Sequence, residues 1–234
     1  VWIGPYSVLN LVGLLIQASL IQNILLFTFL GMCSYLACSN RLSTAHGLGN
    51  AVCFVTILSG SLNWFVHRFI TGKHALSWLG TWAENVNLTF LELIIYISII
   101  AALVQVLEMI IDRFSPQLYK SLGMYLPLIT VNCAILGSSL FATVREYPFI
   151  PNLVYVAGTG LGWWLAIILI AAIREKMSYS NIPKTLDGMG ITFIMTGLIA
   201  LAFMGFIGIS LDKINGEDAY PEIVTITDDK SIKN

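Results

Sequence analysis

No charged residue occurs before Arg41, and the charges that follow are gathered into the connections between long apolar runs. A soluble fold cannot be built on that pattern. An average soluble domain is about 25% charged, whereas this chain of 234 residues is 11% charged and 57% hydrophobic, with a mean hydropathy of +0.81. The expected solvent is a bilayer. Because hydrocarbon offers no partner to backbone N–H and C=O groups, the runs are expected to be helices. The net charge of -1 says nothing about nucleic acid, no basic patch points to it, and no nucleic-acid partner is expected.

A transmembrane helix needs about 20 mostly apolar residues. Six candidates fit, near 17–38, 46–66, 89–111, 123–143, 153–173 and 189–211, with residues 5–16 ahead of them as a short interfacial helix or an extension of the first. The fold class expected is therefore an all-α integral membrane protein with a single transmembrane domain over 1–211. The segment 212–234 carries six acids and three lysines and reads as a polar, acidic, solvated tail. The N-terminus lacks the positive region of a cleavable signal peptide, so it is expected to remain. Lys and Arg near the spans number six in the first, third and fifth loops against three in the second and fourth. The odd loops are thus expected on the cytoplasmic side and both termini on the periplasmic side.

The two halves, about 17–111 and 123–211, resemble each other. Cys33 with Ser39 pairs with Cys133 and Ser139, Gly47-Leu-Gly49 with Gly160-Leu-Gly162, and Ala101-Ala-Leu103 with Ile199-Ala-Leu201. Three spans per copy is an odd number, so the second copy is expected to be inverted. Inverted repeats place their sites near the midplane, often on broken helices. Broken helices are expected at the cysteines.

Four cysteines, Cys33, Cys38, Cys53 and Cys133, all lie in apolar stretches, which excludes a secreted disulfide framework. Free Cys often acts as a small buried hydrophobe, and that reading suits Cys38 and Cys53. The spacing Cys33-x4-Cys38 matches the start of a plant-type iron–sulfur pattern whose third ligand is missing. For Cys33 and Cys133, one per half, the pattern leaves packing and metal ligation both open. Four thiolates hold a [2Fe–2S] cluster, so two cysteines would form half a site and require a second, similar membrane protein facing this one.

Five segments carry a resemblance: Phe29-Leu-Gly-Met-Cys33, Leu103-Val-Gln-Val-Leu-Glu-Met109, Leu126-Pro-Leu-Ile-Thr-Val-Asn-Cys-Ala-Ile135, Ile173-Arg-Glu-Lys-Met-Ser-Tyr179 and Gly190-Ile-Thr-Phe-Ile194. From about residue 17 to 211 the chain resembles the E-subunit family of the bacterial sodium-translocating NADH:quinone oxidoreductase, related to the membrane subunits of the Rnf complex. The resemblance implies a multi-pass protein of the bacterial inner membrane, within a multi-subunit translocase that transports sodium. It implies that Cys33 and Cys133 share one [2Fe–2S] cluster with a homologous, inverted partner, the D subunit. Electrons would pass through it between flavins held by other subunits, with NADH oxidation and ubiquinone reduction also elsewhere. Asn132 and Thr130 lie close enough in sequence to Cys133 to donate hydrogen bonds around such a cluster.

Glu108 is the acid in a span, where charge is costly and usually functional, with Gln105 one turn away. Its structural alternative is a headgroup-level residue paired with Arg113. The resemblance links the matching acid to sodium uptake. Glu92 reads as interfacial. Gly158-Thr-Gly160-Leu-Gly162 lacks the strand and downstream acid of a dinucleotide site, so close helix packing is expected there. His46, His67 and His74 have no metal-ligand spacing, and no complete catalytic arrangement is found. Two other functions stand beside the relay: a membrane component of the Rnf ferredoxin:NAD oxidoreductase, and a self-contained secondary transporter coupled through Glu108.

Overall fold

The structure, a computed structural model, describes residues 8–71, 89–114, 126–179 and 188–205. The remaining parts of the second, third and fifth loops, His74 and the tail 212–234 lie outside the described residues, as does the side chain of Glu92.

Every regular element among the described residues is helical. The order is α1 (Val8–Ile16, continued by a π-helical turn, Gln17–Ile21), α2 (Ile24–Thr28), α3 (Met32–Cys38), α4 (Leu42–Val66, continued to Thr71), α5 (Thr89–Phe114), α6 (Leu126–Thr130), α7 (Cys133–Val144), α8 (Phe149–Met177) and α9 (Met189–Met204). Four helical segments are long and apolar enough to cross a membrane: Leu42–Phe69, Leu93–Ile110, Pro127–Val144 and Phe149–Met177. Val8–Ile21 and Met189–Met204 are apolar but shorter.

The stretch 17–38, read from the sequence as one span, is divided in two places. The first division follows from Asn23. Its Oδ1 accepts from the N–H groups of Leu25 (3.1 Å) and Leu26 (3.4 Å), capping α2 and ending the preceding turn. Its Nδ2 donates to the carbonyl of Gly162 at 2.8 Å, which fastens α2 to α8. The second division is at Phe29–Gly31, where both named residues take left-handed backbone (φ 56° and 82°).

The centre of the fold is the pairing of α4 with α8, the most extensive helix contact. Small residues permit it: at Gly160 an added Cβ would lie 3.1 Å from the Cα of Cys53 on α4, and at Gly162 2.7 Å from the carbonyl oxygen of Ser19. The glycine run on α8 is therefore a packing surface. Around this pair, α9 packs on α2, α5 packs on α6 and α7, and α7 packs on α4. Hydrogen bonds bind the same contacts. Tyr35 meets Thr196 (3.3 Å), Tyr96 meets Thr143 (2.9 Å), and Asn63 Nδ2 donates to Ser139 Oγ (3.0 Å).

Candidate functional site

Both cysteines singled out by the sequence begin a helix directly after an interruption. Cys33 is the second residue of α3, behind Gly31; Cys133 is the first residue of α7, behind Asn132. The interruptions are built differently. At the first, left-handed Gly31 precedes α3 and no side chain caps it. At the second, the Asn132 side chain caps α7, its Oδ1 accepting from Ala134 N–H at 3.0 Å.

The two interruptions touch. A Cβ built on Gly31 would lie 2.8 Å from Asn132 Oδ1, 3.1 Å from Ala134 Cβ and 2.7 Å from Trp163 Nε1. Only glycine fits such an approach, and only glycine holds φ 82° without strain. The turns that carry Cys33 and Cys133, far apart in sequence, thus meet around one glycine. Both cysteines are exposed on the outer surface of the chain. Phe29 (54% exposed) and Val131 (68%) flank them, so an apolar outer face surrounds the junction.

Beneath the junction lie two buried N–H donors with no hydrogen-bond partner among the described residues, Asn132 Nδ2 and Trp163 Nε1. Leaving a buried donor unsatisfied costs about 1–3 kcal/mol. Trp163 is contributed by α8, away from either cysteine in sequence, and sequence reasoning missed it. The only sequence signal was its place beside the glycine run.

Arg174, at the far end of α8, holds the other end of α3: its guanidinium donates to Leu36 O (3.2 Å) and Ser39 Oγ (2.6 Å). A cation at a helix C-terminus satisfies carbonyls left without intrahelical donors. Arg145, just past α7, donates to Gln22 Oε1 (3.0 Å) and lies 5.1 Å from the centre of the Tyr155 ring.

The other sequence candidates are dispersed. Cys38 is buried in the main core, and Cys53 is half-buried against Gly160. Thr130 is half-buried at the end of α6. Glu108 is half-buried near the end of α5, with Gln105, Asp112 and Arg113 exposed. Among the described residues no three His, Cys, Asp or Glu side chains gather as a metal site. What this chain brings together is the pair of turns that precede Cys33 and Cys133.

Comparison with known proteins gives a consistent answer. Residues 11–210 match the Rnf-Nqr family, described as "Rnf-Nqr subunit, membrane protein". The chain is 60% identical over 212 residues to the E subunit of the Na(+)-translocating NADH-quinone reductase of Chlamydia muridarum (strain MoPn / Nigg), covering 91% of this chain and 87% of the relative. The protein of the same name from Chlamydia pneumoniae is 59% identical over 91% of this chain and 83% of its own length. That of Hahella chejuensis (strain KCTC 2396) is 52% identical over 85% of this chain and 97% of its own length.

Proposed function

The chain belongs to the Rnf-Nqr family of membrane-protein subunits, and from that premise we propose that it is a membrane subunit of a sodium-translocating NADH-quinone reductase. In this reading it holds half the ligands of a [2Fe–2S] electron relay in the bacterial inner membrane. The observation that carries the proposal is the junction of the two interruptions at Gly31, with Cys33 and Cys133 beside it on the outer face. The names of the relatives favour this complex over its Rnf counterpart.

The donor set fits half of such a cluster and no more. Cysteine thiolates are its ligands, four are needed, and this chain offers two outward-facing thiols. The other two belong to a partner; a homologous inverted membrane protein, the D subunit, is the chemistry-matched candidate. The cluster, when bound, supplies one-electron transfer between flavins held by other subunits. This chain's contribution is to present two exposed thiols at helix starts, and to bury its side of the site in protein and lipid. In this reading NADH oxidation and quinone reduction belong to other subunits.

The reciprocal contacts support two inverted repeats crossing the bilayer as six spans, two of them broken. The broken stretch α2–α3 is bound by α9 through Tyr35 and Thr196; its counterpart α6–α7 is bound by α5 through Tyr96 and Thr143. Ser39 is held by Arg174 on α8, and Ser139 by Asn63 on α4. An exchange of this kind is what a two-fold relation between halves produces. In this topology both termini lie on the periplasmic side, by the loop charges. Glu108 is assigned to the sodium path as a half-buried acid within an apolar helix.

The test is made on the purified complex. Cys33→Ala and Cys133→Ala each remove one [2Fe–2S] electron-paramagnetic-resonance signal and its iron, while Cys38→Ala and Cys53→Ala leave both unchanged. A full cluster retained in Cys33→Ala refutes the relay. Glu108→Gln lowers sodium transport with the cluster signal intact; unchanged sodium transport removes Glu108 from the path.

A further inference from the structure

We propose that Trp163 is a positioning residue whose indole N–H sets the reduction potential of the [2Fe–2S] centre assigned to Cys33 and Cys133; the inference rests on that assignment. Three observations support it. The Trp163 side chain is fully buried (0% exposed), and its Nε1 has no hydrogen-bond partner among the described residues. That nitrogen borders Gly31, only 2.7 Å from where a Cβ would stand, at the backbone two residues before Cys33. Asn132, 2% exposed and one residue before Cys133, borders the same glycine through its Oδ1, 2.8 Å from that Cβ position, and its Nδ2 has no hydrogen-bond partner among the described residues.

One buried, unpartnered donor, the Trp163 indole N–H, therefore borders Gly31 where the two cysteine-bearing turns meet. The other unpartnered buried side-chain atoms among the described residues do not share this arrangement. The Trp164 ring lies against Gly49 and near the ring of His46, away from either cysteine-bearing turn, and Asn63 Oδ1 is an acceptor. A buried indole N–H without a hydrogen-bond acceptor carries a desolvation cost, which an acceptor at the junction would offset.

An iron–sulfur centre supplies such an acceptor. Reduction adds an electron shared with the sulfur atoms, and nearby N–H dipoles stabilise the reduced form more than the oxidised one, raising the potential. In a buried, low-dielectric setting one dipole acts strongly. Gly31, by lacking a side chain, lets the indole approach the junction. α8 thus does more than pack against α4: it carries a tuning group to a site whose ligands lie on other helices.

The purified complex tests this by potentiometric titration of the cluster's electron-paramagnetic-resonance signal. Trp163→Phe removes the N–H. Replacing Trp163 by benzothienylalanine, which keeps the two-ring shape with sulfur in place of N–H, guards against misfolding. Both variants are expected to keep a full cluster and shift its midpoint to more negative potential. An unchanged midpoint with the analogue in place overturns the inference, whatever the fate of Trp163→Phe. A different result, no cluster in the unaltered complex or a full cluster in Cys33→Ala, overturns the cysteine assignment itself and this inference with it.

Discussion

The two helix interruptions reach the same end by different chemistry. Ahead of Cys33 the chain is turned by backbone: Phe29 and Gly31 are left-handed, and no side chain caps α3. Ahead of Cys133 it is turned by a side chain: Asn132 keeps an ordinary φ of -72° and caps α7 with Oδ1. The first solution depends on a residue without a Cβ, the second on an amide. The placement of the thiol is common to both halves, whereas the sequence that produces it is not. This is why the halves match at Cys33 and Cys133, and at Ser39 and Ser139, yet differ in the turns that precede the thiols.

The contrast can be broken first at Gly31. Gly31→Ala meets both a left-handed backbone, about 1–2 kcal/mol, and contacts with Trp163 and Asn132 too close for a methyl group, about 1–3 kcal/mol more. A fall in the thermal midpoint of the complex and loss of cluster are expected. Gly190→Ala, where nothing lies within 4 Å, is the control and leaves both unchanged. Equal effects from the two substitutions would mean that the interruptions do not touch.

A smaller effect is expected at the second interruption. Asn132→Ala removes the cap of α7 at a cost of about 1 kcal/mol, read by thermal unfolding, whereas Asn132→Ser keeps a neutral oxygen acceptor and loses less. If alanine and serine behave alike, capping is not what turns the chain there. The smallest effect is a gain. Phe29→Gly relieves a left-handed non-glycine residue worth up to about 1 kcal/mol, and the ring it removes is more than half exposed. A raised thermal midpoint is expected, and a lowered one would show that the backbone at Phe29 is not strained.

Much of this was legible along the chain. Long apolar runs with few charges led directly to α4, α5 and α8, because burying that much apolar surface leaves few alternatives. The run Gly158-Thr-Gly160-Leu-Gly162 was readable as a helix-packing face, and the structure seats it on Cys53 and Ser19. The division of 17–38 was harder to see. Asn23 is one polar residue within an apolar stretch, and its role depends on the Gly162 carbonyl, distant in sequence. Arg174 looked like an orienting loop charge, yet it binds the end of the helix that carries Cys33.

By itself, the sequence determined the solvent, the helical class and the pair of thiols, since each depends on residue type and local spacing. Only tertiary structure decided that the two interruptions meet at Gly31, that both thiols are exposed, and that Trp163 brings to Gly31 an N–H with no partner among the described residues. Local propensity is a property of a few neighbouring residues. Which turns touch, and which buried donors are left without an acceptor, depends on how helices remote in sequence pack together.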